Sequence, residues 1–197
     1  MRFVIALILL VLAGCDKESE PKGQAQPAST AKAGDSDKAE ITLESANGMR
    51  ATLSYKFAGQ KAPSAPFADA QGQDVSLADF EGKPLLLNIW ATWCAPCKAE
   101  MPTLDALAKL EKGRMNVIAV SQDLEGRAPV VAFFKETAVK NLVPYTDADN
   151  ALLTAFNNAI ALPTTILYDG DGKEVWRVAG GVEWDDAEMA KLLRAAD

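Results

Sequence analysis

The sequence predicts an α/β fold in which helices flank a central mixed β-sheet. Residues 85–90 read Leu-Leu-Leu-Asn-Ile-Trp, an apolar run typical of a strand that is covered on both faces. Two cysteines follow in the spacing C-x-x-C, and leucines then recur at helical spacing over residues 104–110. With 197 residues and 49% hydrophobic content, the chain can bury one core of ordinary domain size.

The composition argues against several classes of function. A formal net charge of −7 disfavours a nucleic acid partner and a polybasic membrane-binding patch. The chain has no histidine, which removes histidine-based general bases and nucleophilic pairs as well as the commonest transition-metal ligand. Its three cysteines are too few for a disulfide scaffold. We therefore expect no metal and no other cofactor.

The N-terminal residues indicate export. Arg2 precedes an apolar stretch, residues 3–12, that is too short to cross a bilayer and fits the hydrophobic core of a signal peptide. We predict a signal peptide over residues 1–14, with a retained anchor helix as the alternative. Residues 15–40 begin with Cys15 and contain no aromatic or large aliphatic side chain. They predict a disordered tether with a root-mean-square reach of roughly 25–30 Å.

Short β-rich segments come before the apolar strand. Residues 41–62 form a predicted β-rich extension, in which Asn47-Gly48 has the composition of a hairpin turn. A domain is then predicted from residue 63 to residue 197. It begins with two short strands joined by a turn at residues 71–73, followed by a capped helical turn at residues 76–80.

Strands and helices alternate through the rest of the chain. Leu104, Leu107 and Leu110 place one face of the helix after the cysteines against the core, with Asp105 on another face. The remaining predicted strands are residues 115–121, 143–145, 164–168 and 174–178. The remaining predicted helices are residues 128–139, residues 149–157 and a last helix that opens at Trp184-Asp185, with Met189, Leu192 and Leu193 facing inward.

The cysteine pair is the main candidate for chemistry. A cysteine at the mouth of a helix lies where backbone N–H groups and the helix dipole favour an anion, which here would be a thiolate. A thiolate is the form that exchanges with disulfides. The alternatives are a structural disulfide and half of a zinc site, but zinc needs four ligands and the chain offers neither a second pair nor histidine. We therefore predict a redox-active pair.

The residues around this pair resemble a known fold. Trp93-Cys94-Ala95-Pro96-Cys97, together with a later Leu162-Pro163-Thr164, is similar to the thioredoxin fold. More narrowly, residues 65–102 and the extra segment 146–160 resemble the TlpA/ResA/CcmG-like thiol–disulfide oxidoreductases. The resemblance covers residues 63–195. It implies a thioredoxin-like domain with an N-terminal hairpin extension and a helix inserted before a cis-proline.

The resemblance also implies roles for the residues of the pair and its surroundings. Cys94 would be the nucleophile, aided by the helix N-terminus, and Cys97 would resolve the mixed disulfide. Pro163 would be the cis-proline beside the C-x-x-C loop, where the Leu162 backbone could pair with an extended substrate segment. An ordinary trans proline at the start of a strand is the alternative for Pro163.

The chain differs from thioredoxin itself at the position of a buried acid. Asn88 stands where thioredoxin has a carboxylate, and an amide cannot relay a proton. The resemblance makes Glu100 the candidate for proton transfer, because the family has a glutamate three residues after its second cysteine. Residues three apart share a helical face, so Glu100 could lie near Cys97; a solvated surface glutamate is the alternative. We expect Trp90 to lie in the core, whereas Trp93 and Pro96 border the site and contact substrate.

A second resemblance concerns the N-terminus. Leu12-Ala13-Gly14-Cys15 resembles the lipobox of bacterial lipoproteins, which implies that Cys15 becomes an acylated N-terminus. More than one acyl chain is needed for stable anchoring in a bilayer. Asp16 resembles a signal for retention in the inner membrane of the cell envelope.

Taken together, these observations predict a lipid-anchored protein-disulfide reductase that faces the periplasm. Its substrate would be a disulfide-containing protein, in apocytochrome c maturation or a related assembly pathway, and a membrane thiol donor would supply electrons. A disulfide oxidase or isomerase could use the same motif. A thioredoxin-fold metal chaperone, supported only by Met101, and a peroxidase are weaker alternatives.

Overall fold

The structure, a computed structural model, describes residues 40–45, 48–157 and 160–194. The predicted signal peptide, Cys15, Asp16 and the tether up to residue 39 lie outside the described residues, as does Asn47 of the predicted turn. Within the described part of the chain, no helix combines the length and the apolar character that a membrane span requires.

One mixed β-sheet organises the described residues. Its nine strands are β1 (Ile41–Glu44), β2 (Arg50–Ser54), β3 (Phe67–Ala68), β4 (Asp74–Val75), β5 (Leu85–Trp90), β6 (Asn116–Ser121), β7 (Pro144–Thr146), β8 (Thr164–Tyr168) and β9 (Glu174–Ala179). They lie in the order β1-β2-β9-β8-β5-β6-β7-β3-β4. β5 pairs with β6 in parallel and with β8 antiparallel, so the predicted mixed sheet is confirmed.

Four α-helices accompany the sheet in the described residues. They are α1 (Ala95–Leu110), α2 (Arg127–Glu136), α3 (Ala151–Ala155) and α4 (Ala187–Leu193), and a 3₁₀ helix covers Leu77–Phe80. The 3₁₀ helix begins at Ser76 with a capping box to Asp79, which confirms the predicted capped turn. α3 is the predicted helix before the proline, although it is shorter than residues 149–157.

The central strand β5 separates two apolar clusters. Every residue of β5 is buried. Leu86 and Trp90 belong to the cluster that contains residues of α1 and α4, whereas Leu87 and Ile89 belong to the cluster on the other face. Because side chains alternate along a strand, Asn88 points to the same face as Trp90, which is the face that α1 covers.

Three sequence predictions about helix positions were wrong. Leu110 is 79% exposed, because residues at i, i+3 and i+6 rotate progressively off one helix face when 3.6 residues make a turn. α4 begins at Ala187, where the Asp186 side chain accepts the Glu188 N–H, while Trp184 is packed in the core. α2 ends at Glu136, and Ala138 has a φ of 58°, which is incompatible with a continuing helix.

The N-terminal hairpin extension is present and belongs to the same sheet. β1 pairs with β2, and β2 pairs with β9. Gly180 follows β9 with a φ of +106°, and a Cβ there would lie 2.5 Å from the Arg50 carbonyl oxygen and 2.9 Å from the Ala51 Cα. The close approach of β2 therefore requires glycine at position 180.

Candidate active site

The site is built where β5 ends and α1 begins. Cys94 is the N-cap residue of α1, and its Sγ accepts a hydrogen bond from the Cys97 backbone N–H at 3.3 Å. Its own N–H donates to the Ala91 carbonyl, which closes a turn directly before the helix. Because the first N–H groups of a helix have no intrahelical partner, the sulfur of Cys94 lies where they stabilise negative charge.

Cys94 and Cys97 form a disulfide, with a Cα–Cα distance of 5.3 Å. Cys94 is 6% exposed and Cys97 is fully buried, so Cys94 is the more accessible of the two residues. The neighbouring side chains on the surface are those of Trp93, which is 67% exposed, and Pro96. The disulfide is therefore reached from the surface that these two residues border.

Glu100 lies three residues after Cys97 on α1 and is completely buried, which contradicts its interpretation as a solvated surface residue. Its carboxylate accepts hydrogen bonds from Asn88 Nδ2 at 2.7 Å and from the Val182 backbone N–H at 3.1 Å. Burial raises the pKa of Glu100 from 4.5 to about 7, and these hydrogen bonds together with the nearby Trp184 indole lower it only in part. The indole N–H does not itself meet hydrogen-bond geometry. Glu100 can therefore both accept and donate a proton near neutral pH.

Asn88 joins this acid to the sheet. Its Nδ2 donates to Thr165 Oγ1 on β8 at 2.8 Å as well as to Glu100 on α1. Both N–H groups of the amide are thus used, and they join β5, α1 and β8. Asn88 supplies no proton of its own, so Glu100 is the titratable group in this network.

The Leu162–Pro163 peptide bond is cis, which confirms the expectation for this proline. Thr164, the next residue, pairs with Ile89 near the end of β5, so Pro163 lies at the edge of the sheet that carries Cys94. Pro163 is buried and Leu162 is half-buried. The structure therefore brings Leu162, Pro163 and the cysteine loop to one edge.

One polar residue at this edge was missed by the sequence predictions. Asp123, just after β6, is 1% exposed and accepts hydrogen bonds from both the backbone N–H and the hydroxyl of Thr92, two residues before Cys94. The available signal was its place after a strand parallel to β5, because such strands end at the same edge of a sheet.

The structure also locates the groups considered for metal binding. Met101, the residue that weakly supported a metal chaperone, is fully buried in the core. Over residues 40–45, 48–157 and 160–194, no group of three or more His, Cys, Asp or Glu side chains is arranged to hold a metal ion.

Comparison with known proteins agrees with this geometry. A family model described as Redoxin matches residues 57–193. The chain belongs to the Redoxin family. A ResA thiol-disulfide oxidoreductase of Bacillus thuringiensis subsp. konkukian is 35% identical over 123 residues, covering 62% of this Redoxin-family chain and 69% of the relative.

Solved structures of thiol–disulfide exchange proteins are also similar to this Redoxin-family chain. A Chlorobium tepidum protein assigned as thiol:disulfide interchange protein DsbE has a TM-score of 0.62 and 25% identity, covering 71% of this chain and 98% of that one. The exposed lipoprotein thioredoxin Etrx1 of Streptococcus pneumoniae has a TM-score of 0.56 and 27% identity, covering 66% and 96%. The thioredoxin-like fold is confirmed, and the protein is a thiol–disulfide oxidoreductase of the TlpA/ResA/CcmG-like type.

Proposed function

We propose that this oxidoreductase reduces disulfides of exposed proteins at the bacterial cell envelope, with Cys94 as nucleophile and Cys97 as resolving cysteine. The observation that carries the proposal is the position of Cys94 Sγ at the N-terminus of α1, where it accepts the Cys97 N–H. The N–H groups at a helix N-terminus stabilise a thiolate, and only the thiolate attacks a disulfide.

The reaction then proceeds in two exchanges. The Cys94 thiolate attacks one sulfur of the substrate disulfide, forms a mixed disulfide and releases the other substrate sulfur as a thiolate. The Cys97 thiolate attacks Cys94 Sγ of the mixed disulfide and releases the second substrate sulfur. Two electrons pass to the substrate, and the enzyme is left with the Cys94–Cys97 disulfide that the structure contains.

In the second exchange, Glu100 is the group that accepts the proton of Cys97 and returns it to the leaving sulfur. It lies three residues after Cys97 on α1, both residues are fully buried, and the pKa of its carboxyl is about 7. A buried thiol next to a carboxylate can lose its proton to it, and the protonated carboxyl can return the proton to the leaving sulfur. Asn88 holds the carboxylate in place throughout.

The substrate segment is assigned to the surface around the disulfide. Trp93 and Pro96 offer exposed apolar area, and the backbone at Leu162 and Pro163 lies at the same edge of the sheet. The Pro163 carbonyl already accepts the Gly180 N–H, so the backbone of Leu162 is the one with which an extended segment would pair to bring its disulfide to Cys94.

The cellular setting is part of the proposal. Cleavage after residue 14 and acylation of Cys15 would anchor the chain, with Asp16 favouring the inner membrane, and residues 15–40 would serve as the tether. The similarity to a pneumococcal exposed lipoprotein supports this arrangement. A membrane thiol donor would recharge the cysteines, and the substrate would be apocytochrome c or another protein under assembly. Incorporation of labelled palmitate into the full chain, and its loss in Cys15→Ser, tests the anchor.

The reduction potential of the Cys94–Cys97 pair tests the direction of exchange. A value near that of thioredoxin, roughly −270 mV, is expected for a reductase. A value near roughly −120 mV, as in a strong periplasmic oxidant, would instead assign disulfide formation. The measurement equilibrates the full chain in thiol–disulfide buffers and counts alkylated cysteines.

Cysteine variants test the assigned roles. With dithiothreitol as the reductant, the parent chain should reduce insulin disulfides faster than dithiothreitol alone does. Cys94→Ser should abolish this increase in rate. Cys97→Ser should instead accumulate a covalent complex with the substrate, visible on a non-reducing gel, because the mixed disulfide cannot be resolved. Activity that persists in Cys94→Ser would overturn the assignment of the nucleophile.

A further inference from the structure

Trp184 places a buried indole N–H near Glu100 without a hydrogen-bond partner. The side chain is 2% exposed, and within the described part of the chain its Nε1 has no acceptor. A buried donor that lacks a partner costs free energy, so its presence calls for an explanation. The indole nevertheless lowers the pKa of Glu100, which places it close to that carboxyl group.

The backbone around Trp184 is fastened to α1. The Val182 N–H donates to Glu100 Oε2 at 3.1 Å, and the Trp184 N–H donates to Thr103 Oγ1 at 3.1 Å. The same Thr103 hydroxyl donates to the Glu100 backbone carbonyl at 2.9 Å. The indole is therefore held near the carboxyl group by bonds that do not use its own N–H.

Residues 180–184, the segment that follows β9, also contact the other parts of the site. The Gly180 N–H donates to the Pro163 carbonyl at 2.9 Å. A Cβ at Gly181 would lie 3.4 Å from the Pro96 carbonyl oxygen and 3.5 Å from the Pro96 Cβ. Trp184 thus belongs to a segment that packs against the cis-proline, the cysteine loop and the buried acid.

The other groups around the Glu100 carboxyl carry no charge. The Asn88 amide approaches from β5, and the Val182 N–H from the 180–184 segment. On α1, Cys97 lies three residues away and becomes a titratable neighbour once the disulfide is reduced. Among the described residues, no charged side chain contributes to the pKa of Glu100. Since a hydrogen bond to the charged form favours that form, one more neutral donor would stabilise the ionised carboxylate.

We propose that Trp184 is a positioning residue whose indole N–H donates to Glu100 when the carboxyl is ionised and is released when the carboxyl takes up the proton of Cys97. In the second exchange the Cys97 S–H bond breaks, its proton passes to Glu100, and the sulfur attacks Cys94. The proton then goes to the leaving sulfur, and the indole bond forms again. The inference rests on the role of Glu100 in the proposed function.

The first test follows the indole directly by NMR of the full chain labelled with ¹⁵N-tryptophan. In the oxidised protein, where disulfide cysteines do not titrate, the Trp184 indole proton should move downfield as the pH rises through about 7. The movement should vanish in Glu100→Gln. Trp176 is the internal control, because its Nε1 already donates to the Leu192 carbonyl at 3.1 Å and should not titrate with it.

The second test measures the rate of the second exchange at a series of pH values in Trp184→Phe, which removes the N–H and keeps an aromatic ring. Without this donor, the pH midpoint of the rate should rise by about one unit. At pH 7 the ionised fraction of Glu100 then falls from about one half to about one tenth, so the step slows about fivefold. Formation of the mixed disulfide by Cys94 should be unaffected.

Trp176→Phe is the matched control for lost packing. Trp176 is fully buried in the same apolar cluster, and its replacement also removes an indole N–H. It should lower the melting temperature while keeping the pH midpoint of the parent chain. A midpoint that shifts equally in Trp176→Phe and Trp184→Phe would overturn the inference, because general loosening of the core would then explain both.

Two further results would overturn the inference. One is a Trp184 indole resonance that stays constant through pH 7, which can be read in the parent chain even where Trp184→Phe does not fold. The other is a parent-like pH profile in folded Trp184→Phe, which would assign Trp184 to packing alone. If Glu100→Gln performs the second exchange at the parent rate, the proton role of Glu100 in the proposed function fails instead, so the two failures are distinguishable.

Discussion

Asn88 on the central strand and Glu100 on the helix after it are joined by a 2.7 Å hydrogen bond in a fully buried environment. The amide donates and the carboxylate accepts, so the pair contains one titratable group rather than two. Burial raises the pKa of Glu100 to about 7 and the hydrogen bond from Asn88 lowers it in part, so we expect Glu100 to contribute to the pH dependence of folding and to the proton transfer of the proposed exchange.

Glu100→Gln should flatten the pH dependence of stability. The pKa of Glu100 is higher in the folded than in the unfolded protein, so the folded state binds more protons between pH 4.5 and pH 7. Stability contributed by the protonated acid is therefore present below pH 4.5 and is lost as the pH rises through 7, by roughly 3 kcal/mol. Urea unfolding at a series of pH values measures it. Glu188→Gln, on the exposed face of α4, should keep the parent profile.

The same substitution should slow the second exchange. Without a carboxylate to accept its proton, Cys97 should resolve the mixed disulfide about 100-fold more slowly at pH 7. Quenched-flow mixing with a substrate disulfide, followed by mass spectrometry of the covalent complex, measures this step. Formation of the mixed disulfide by Cys94 should change far less, and equal slowing of both steps would contradict the assignment.

Asn88→Asp should make folding strongly pH-sensitive. It places a second carboxyl group against Glu100, and two buried carboxyl groups at that distance can share one proton but cannot both ionise cheaply. We expect a loss of about 3 kcal/mol or more at pH 8 relative to pH 5, read from unfolding curves. Asn116→Asp on β6 is the control, because Asn116 donates to the Phe80 carbonyl and has no such acid partner.

Asp105→Ala should destabilise the fold without altering exchange. Asp105 is 9% exposed and accepts the backbone N–H groups of residues 140, 141 and 142 as well as the Asn141 side chain. Their loss leaves several donors without a partner, which we expect to cost about 3 kcal/mol in urea unfolding. Asp74→Ala, on exposed strand β4, should cost less than about 0.5 kcal/mol. A changed reduction potential in Asp105→Ala would contradict a purely structural role.

Gly180→Ala should release the hairpin from the sheet. The added Cβ would lie 2.5 Å from the Arg50 carbonyl oxygen, in addition to the backbone strain at a φ of +106°. We expect the amide protons of β2 to lose protection in hydrogen exchange while those of β5 keep it. Gly72 also has a positive φ, but a Cβ added there would have no atom within 4 Å. Gly72→Ala therefore measures the cost of the backbone strain alone, about 1 kcal/mol, without the clash. Equal hydrogen exchange of the β2 amides in both variants would contradict a clash between residue 180 and β2.

Most of what sequence alone predicted correctly depends on local pattern. The buried strand, the cysteine loop and the helix after it follow one another directly, so periodicity and spacing describe them. The resemblance then supplied the cis bond at Pro163, which local preference alone would have assigned as trans. The hairpin followed from its turn composition.

The features that sequence missed depend on contacts between distant residues. Asp105 was placed on a polar face because its neighbours at helical spacing are leucines, yet its partners are backbone groups about 35 residues later. Asp123 likewise acquires its role from Thr92, 31 residues earlier. A pattern of side chains cannot report which backbone N–H groups a fold brings to a carboxylate. The opposite error concerns Leu110, an apolar residue that was predicted to face the core but lies exposed on the helix surface.

The contact between Gly180 and β2 makes the hairpin a poor candidate for simple grafting. An engineer who moved residues 41–54 onto a related domain would also need a glycine directly after the last strand, because any side chain at that place occupies the volume of the Arg50 carbonyl. The extension and its acceptor glycine thus form one transferable unit, although 130 residues separate Arg50 from Gly180 in the chain.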